Sequence, residues 1–175
     1  VFSHDHILQL AEYSPVPVIN GLSDYNHPCQ VLADMLTIRE HKSTFPNLKL
    51  AWVGDGNNVL LSLLFAASKL GMDLTAAVPR GYEPLDDVVL QAQEIAKETE
   101  ATIEMTNDPV EAVRDADVIY TDTWASMGQE EERQKRLQVF PPYQVNAALV
   151  SRAKPDTIVM HCLPAHRGEE ITDEV

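Results

Sequence analysis

Basic residues are scarce: 13 lysines and arginines stand against 27 aspartates and glutamates, a formal net charge of -14. A surface that neutralises nucleic-acid or anionic-lipid phosphates needs the opposite balance, which argues against both partners. Long apolar runs are missing too. The longest, around Val59 to Ala67, is interrupted by Ser62 and falls well short of the roughly 20 residues that span a bilayer. Cysteine is nearly absent. Cys29 and Cys162 lie far apart with no secretory n-region or h-region before them, which argues against a disulfide scaffold and fits a reducing compartment. Internal repeats are absent, and no G-x-S-x-G nucleophile elbow supports a hydrolase triad.

What the sequence does contain is enough apolar material, 45% of 175 residues, for one substantial core. Ser3, as N-cap, and the apolar positions Ile7, Leu8, Leu10 and Ala11 predict a short helix ending before Pro15. A strand is expected over Val16–Ile19. After a polar, turn-rich stretch from Gly21 to Pro28, the spacing of Val31, Leu32, Met35 and Leu36 predicts a second helix ending near His41 to Pro46. From Leu48 onward strand-like runs recur at Leu48–Val53, Leu74–Val78, Thr102–Met105, Val118–Thr121 and Thr157–Met160, with helical patterns between most of them. That alternation predicts a doubly wound, mainly parallel α/β sheet with helices on both faces. The expected boundary lies in His41 to Asn47, dividing residues 1–43, a remnant too small to fold alone, from residues 44–175, the sheet domain. Val1 in place of Met, and an apparent helix start at Glu169–Val175, point to a segment of a longer protein.

In doubly wound folds ligands bind beyond the carboxyl ends of the strands, so the residues there are the site candidates. Gly54-Asp55-Gly56-Asn57-Asn58-Val59 lacks the third small residue and the later acidic residue of a dinucleotide fingerprint. Two readings of it remain: backbone N–H groups and the Asn58 amide seat a carboxylate, or Asn57 or Asn58 caps the helix. Asp122 to Gly128 sets a carboxylate and a hydroxyl beyond the fourth run, a pair suited to an ammonium group, or else a cap and a turn. Glu131 with Lys135 and Glu132 with Arg136, both at i,i+4, predict a solvated helix face. His161-Cys162-Leu163-Pro164 places a thiol at the same crevice, beside an X-Pro bond open to the cis form; core packing is the alternative. His27-Pro28-Cys29-Gln30 opens the second helix, where an imidazole and a carboxamide suit a phosphate or a polarised carbonyl, while the spacing makes a poor zinc site.

This ordered set, with Asn20 to Asp24, Gly81 to Pro84 and Met127 to Glu132 between its members, resembles the ornithine carbamoyltransferase family nearly end to end. The resemblance implies that Asp122 and Ser126 hold the α-amino group of ornithine and that Asn58 and the Met127 backbone take its α-carboxylate. It implies Cys162 as the positioning and proton-handling residue beside the δ-amine. His27, Pro28, Cys29 and Gln30, with Cys162 and Leu163, would serve carbamoyl phosphate, His27 also acting in catalysis. The implied reaction transfers the carbamoyl group to the δ-amine, giving citrulline and phosphate for arginine biosynthesis or the urea cycle, with no metal or organic cofactor. The implied assembly is a homotrimer, in the cytoplasm or the mitochondrial matrix. The family's Ser-Thr-Arg-Thr phosphate loop and further arginines fall outside the 175 residues, so this piece alone is expected to be inactive. The competing readings are a carbamoyltransferase for another amine, a catalytically dead ornithine-binding domain, and a nucleotide-binding module at Gly54 to Asn58.

Overall fold

The computed structural model describes residues 3–125 and 132–175. Five parallel strands form one sheet in the order β3-β2-β1-β4-β5, with β1 at Lys49–Val53, β2 at Asp73–Ala77, β3 at Ile103–Thr106, β4 at Val118–Thr121 and β5 at Ile158–His161. Each predicted run falls within a residue or two of its strand. The order reverses between β1 and β4, and such a switch point opens a crevice at the carboxyl ends of those two strands.

Side-chain alternation along β1 shows how the sheet is covered. Leu50 and Trp52 point into a core shared with α2 (Pro28–Lys42), α3 (Asn58–Leu70) and α4 (Asp86–Thr99). Ala51 and Val53 point the other way, into a smaller core with Ala112 and Val113 of α5 (Pro109–Val113), Leu149 of α7 (Ala147–Val150), Tyr143 and Val145. Both faces are therefore buried, as parallel sheets require. α3 is buried nearly all round, which explains its continuous apolar sequence. No helix among the described residues is long and apolar enough to cross a membrane.

Helix α1 (His4–Tyr13) forms where predicted, but Ser3 makes no side-chain cap bond; the His4 N–H donates instead to Asp24 Oδ1 at 2.8 Å. Its apolar residues Leu8 and Leu10 are exposed. The strand expected at Val16–Ile19 does not form. Pro15 and Pro17 contribute no N–H, the Val16 N–H is taken by Ser14 Oγ, and among the described residues no strand lies alongside. In α2 the buried stripe is Val31, Asp34, Met35 and Ile38, while Leu32 and Leu36, predicted to face inward, are exposed. Val31, Met35 and Ile38 join the main core, so α2 packs as part of the sheet's helical layer. The chain leaves α2 through Ser43 at φ 68°, inside the stretch expected to separate the two parts.

The helix expected to open at Glu169 is replaced by turns. Its backbone is spent on another partner: Val145 N–H donates to Glu170 O at 2.8 Å and Thr172 N–H to Val145 O at 3.1 Å. The Glu170 side chain turns inward and is fully buried.

Candidate functional site

Three chain segments leave the strands at the switch point and line one open cleft of about 670 Å³, a size that suits a small ligand. From β1 comes Gly54–Asn58. The Gly56 N–H donates to Tyr82 O at 2.9 Å. A Cβ on Gly56 would lie 2.4 Å from both Pro84 N and Tyr82 O. Only glycine lets the loop of Tyr82 to Pro84 close over this turn. Asn57 caps α3, its Oδ1 accepting from Val59 N–H at 3.0 Å and Leu60 N–H at 3.2 Å. Of the two readings of this turn, capping is what Asn57 does. Asn58 lines the cleft and its Nδ2 donates to Ser23 O at 2.7 Å, so an incoming carboxylate would have to take that amide from Ser23.

From β4 comes Asp122, buried at the cleft floor. Its Oδ2 accepts from Asn57 Nδ2 at 2.6 Å, and its Oδ1 from Thr123 N–H at 2.7 Å and the Cys162 thiol at 2.9 Å. Ser126 and Met127, the other residues singled out after this strand, lie outside the described residues.

From β5 comes the third segment, with Cys162, Leu163 and Pro164 lining the cleft and a cis Leu163-Pro164 bond. Burial, then the Asp122 carboxylate beside it, pushes the Cys162 thiol well above the ordinary thiol range. A neutral thiol that donates to Asp122 keeps its sulfur lone pairs for an incoming N–H and is a poor nucleophile. His161 is clamped on both sides: its Nδ1 accepts from Leu163 N–H at 2.8 Å, which leaves Nε2 as the donor to Glu170 Oε1 at 3.1 Å. Burial works to raise the Glu170 pKa, but hydrogen bonds from His161 and the His166 N–H outweigh it and hold the carboxyl below its ordinary range. The donor atoms of Asp122, His161 and Cys162 lie within 4.8 Å of one another. A metal there would have to displace hydrogen bonds that each of them already makes.

The thiol's state has a direct readout. Iodoacetamide at pH 8 is expected to alkylate exposed Cys29 at least about tenfold faster than Cys162, because the thiolate is the nucleophile. Peptide mapping by mass spectrometry measures both rates, and faster modification at Cys162 would contradict the geometry.

Of the helix-opening residues, His27 lines the cleft, whereas Pro28, Cys29 and Gln30 continue into α2 and do not. His27 N–H donates to Ser62 Oγ at 2.8 Å, and its buried Nδ1 has no partner among the described residues. Gln30 donates through Nε2 to Asp34 Oδ1 at 3.0 Å.

Sequence reading missed Arg136. Predicted on a solvated face, it is buried in α6 (Arg133–Val139), with Nη1 2.8 Å from Asp55 Oδ2 and donating to Trp124 O at 2.8 Å. Its guanidinium lies 4.8 Å from the Tyr82 ring centroid. Glu132, the expected i,i+4 partner, is 3.5 Å from Nε without making a hydrogen bond. The available signal was topological: Asp55 and Asp122 end neighbouring strands, and two buried carboxylates at one switch point call for a cation.

The family profile of the aspartate/ornithine carbamoyltransferase Asp/Orn binding domain matches residues 46–175, and that of the carbamoyl-P binding domain matches residues 1–40. The chain is 58% identical over 174 residues to an ornithine carbamoyltransferase of Anoxybacillus flavithermus, covering 99% of this chain and 55% of that protein. It is 57% identical over 175 residues to an anabolic ornithine carbamoyltransferase of Pyrococcus furiosus, covering 100% of this chain and 56% of that one. The solved structure of ornithine carbamoyltransferase from Pyrococcus furiosus superposes with a TM-score of 0.95 at 56% identity, over 99% of this chain and 56% of that one. The chain thus spans a little over half the length of these relatives.

Proposed function

The chain belongs to the aspartate/ornithine carbamoyltransferase family, and from that premise we propose that it supplies the amino-acid half of an enzyme that carbamoylates the δ-amine of L-ornithine. The products are L-citrulline and phosphate. One observation carries this reading: a buried carboxylate, Asp122, sits at the switch point with a neutral thiol, Cys162, on one of its oxygens. Asp122 pairs the α-ammonium of the amino acid, with Ser126 beside it. Asn58 and the Met127 backbone take the α-carboxylate. Cys162 accepts an N–H of the neutral δ-amine through sulfur and relays the proton toward Asp122. Leu163 contributes backbone contacts, held by the His161–Glu170 pair.

Carbamoyl phosphate is already activated, so orienting the amine against it and stabilising the tetrahedral oxyanion account for the catalysis, without metal, organic cofactor or covalent intermediate. His27, with Pro28, Cys29 and Gln30, belongs to the donor side, residues 1–43, and residues 44–175 form the ornithine side. Most of the positive charge for the phosphate lies elsewhere in the complete protein, and the 175 residues alone form no citrulline. The relative named anabolic supports arginine biosynthesis as the setting. The assembly is a homotrimer, and the compartment is cytoplasm or mitochondrial matrix.

The test is an acceptor panel with the complete protein. Ornithine is expected to be carbamoylated at least about a hundredfold more efficiently than putrescine or N-acetylornithine, each followed by its own ureido product, because each alternative lacks part of the free α-amino acid that Asp122 and Asn58 recognise. Preference for either alternative would overturn the assignment.

A further inference from the structure

Beyond β5 the chain turns back over residues 163–170, and three side chains at the far end of that turn converge outside the cleft. One nitrogen or oxygen from each of His166, Glu169 and Glu170 lies within 4.8 Å of the other two. None of the three lines the cleft.

Glu170 anchors the group from inside, wholly buried at 0% exposure. Its Oε1 is fully engaged, accepting from His161 Nε2 at 3.1 Å and from the His166 N–H at 2.5 Å. Its Oε2 is equally shielded from solvent but has no hydrogen-bond partner among the described residues. A carboxylate oxygen buried without a partner is costly, and folded proteins supply such an oxygen with a donor, an ordered water or a cation. The group that Oε2 faces is the half-exposed imidazole of His166, whose Nδ1 stands 4.0 Å away, too far for a hydrogen bond. Glu169 closes the third side, with Oε1 held by the Arg133 guanidinium.

These distances suit a small metal ion. Zinc binds imidazole nitrogen and carboxylate oxygen at roughly 2.0–2.2 Å, so two of its ligands stand at most about 4.2 Å apart. His166 Nδ1 and Glu170 Oε2 are already inside that span. Glu169 has a fraction of an ångström to close, which a partly exposed side chain does by rotating. An imidazole among the ligands favours zinc-class ions over magnesium and calcium, which take oxygen. Asp122, His161 and Cys162 differ in kind, because those groups already spend their atoms on hydrogen bonds, whereas Glu170 Oε2 has none to give up.

We propose that His166, Glu169 and Glu170 form a binding site for a divalent cation of the zinc class, on the turn that carries Leu163 and Pro164 to the cleft. Through Glu170 the ion is tied to His161, and through His161 Nδ1 to the Leu163 N–H. Binding therefore braces the turn from outside the cleft without entering it.

The experiment uses the complete protein carrying Cys162→Ser, so that the cleft thiol is no ligand, freed of metal by chelation and titrated with Zn²⁺ in a calorimeter. A saturable site is expected that excess Mg²⁺ does not displace. Adding His166→Gln is expected to weaken Zn²⁺ binding at least about tenfold, since losing even an outer-shell partner of a ligand costs about that much. Adding Glu169→Gln instead is expected to act in the same direction, and it decides alone if the His166→Gln protein does not fold. Absence of a saturable Zn²⁺ site would overturn the proposal, as would an affinity that neither substitution changes or a site that Mg²⁺ fills equally well.

Discussion

Replacing Asp122 by asparagine in the complete protein is expected to cut kcat/KM for ornithine by roughly a hundredfold to a thousandfold, with the KM for carbamoyl phosphate within about twofold of wild type. The carboxylate is the convergence point of the crevice: Asn57 Nδ2, the Thr123 N–H and the Cys162 thiol all donate to it. Asparagine replaces one acceptor oxygen by an NH₂ group, which must face at least one of those donors, and it removes the charge that pairs an α-ammonium. Because burial and then Asp122 raise the Cys162 pKa, the same variant is expected to alkylate faster at Cys162. A variant with wild-type kcat/KM for ornithine would remove Asp122 from the site.

Replacing Arg136 by methionine is expected to cost about 3–5 kcal/mol of stability, because it leaves the Asp55 charge buried without its partner. Both side chains of this pair are almost wholly covered, at 6% and 5% exposure, so solvent screening does little to soften the loss. The Trp124 carbonyl loses its donor and the Tyr82 ring its guanidinium in the same step. Burial raises the Asp55 pKa, with Arg136 opposing it; without Arg136 the carboxyl moves further up. A raised acid destabilises the fold only where it is charged. The deficit is therefore largest at neutral pH and shrinks as pH falls through the variant's further-raised Asp55 value toward the wild-type one, itself above the ordinary carboxylate range. Urea titrations at several pH values, followed by tryptophan fluorescence, measure this. A deficit below about 1 kcal/mol, or one that grows toward acid pH, would contradict the ion-pair account. Adding Asp55→Leu is expected to restore much of the loss.

The strands were legible because a buried parallel sheet leaves continuous apolar runs bounded by glycine, proline and polar turns, and the positions after them mark the crevice whatever the chemistry. Asp122 and Cys162 could be found that way and His27 from its place at the opening of a helix, and the fold brings all three to one cleft. Asn57 was visible only as one of two capping candidates. What the residues alone did not disclose depends on which neighbour a side chain meets. Arg136 has the spacing of a surface ion pair, yet the strand order places Asp55 within its reach. Leu32 and Leu36 are as apolar as Val31 and Met35, but Tyr120 draws Asp34 inward and turns the Leu32–Leu36 stripe outward. Val16–Ile19 has strand composition without a strand to pair with, and composition cannot supply one. The turn at Glu169 to Ile171 follows from His161 and Val145, both distant enough in sequence to be invisible in a local pattern.

As proposed above, this chain is the ornithine-binding half of a carbamoyltransferase. The most direct test follows the carbon of ¹³C-carbamoyl phosphate by NMR in the presence of ornithine and the complete protein. The label is expected in the ureido carbon of citrulline, with one phosphate released for each citrulline formed. Carbamoyl phosphate that decays at the same rate with and without ornithine, and leaves no label in citrulline, would contradict it.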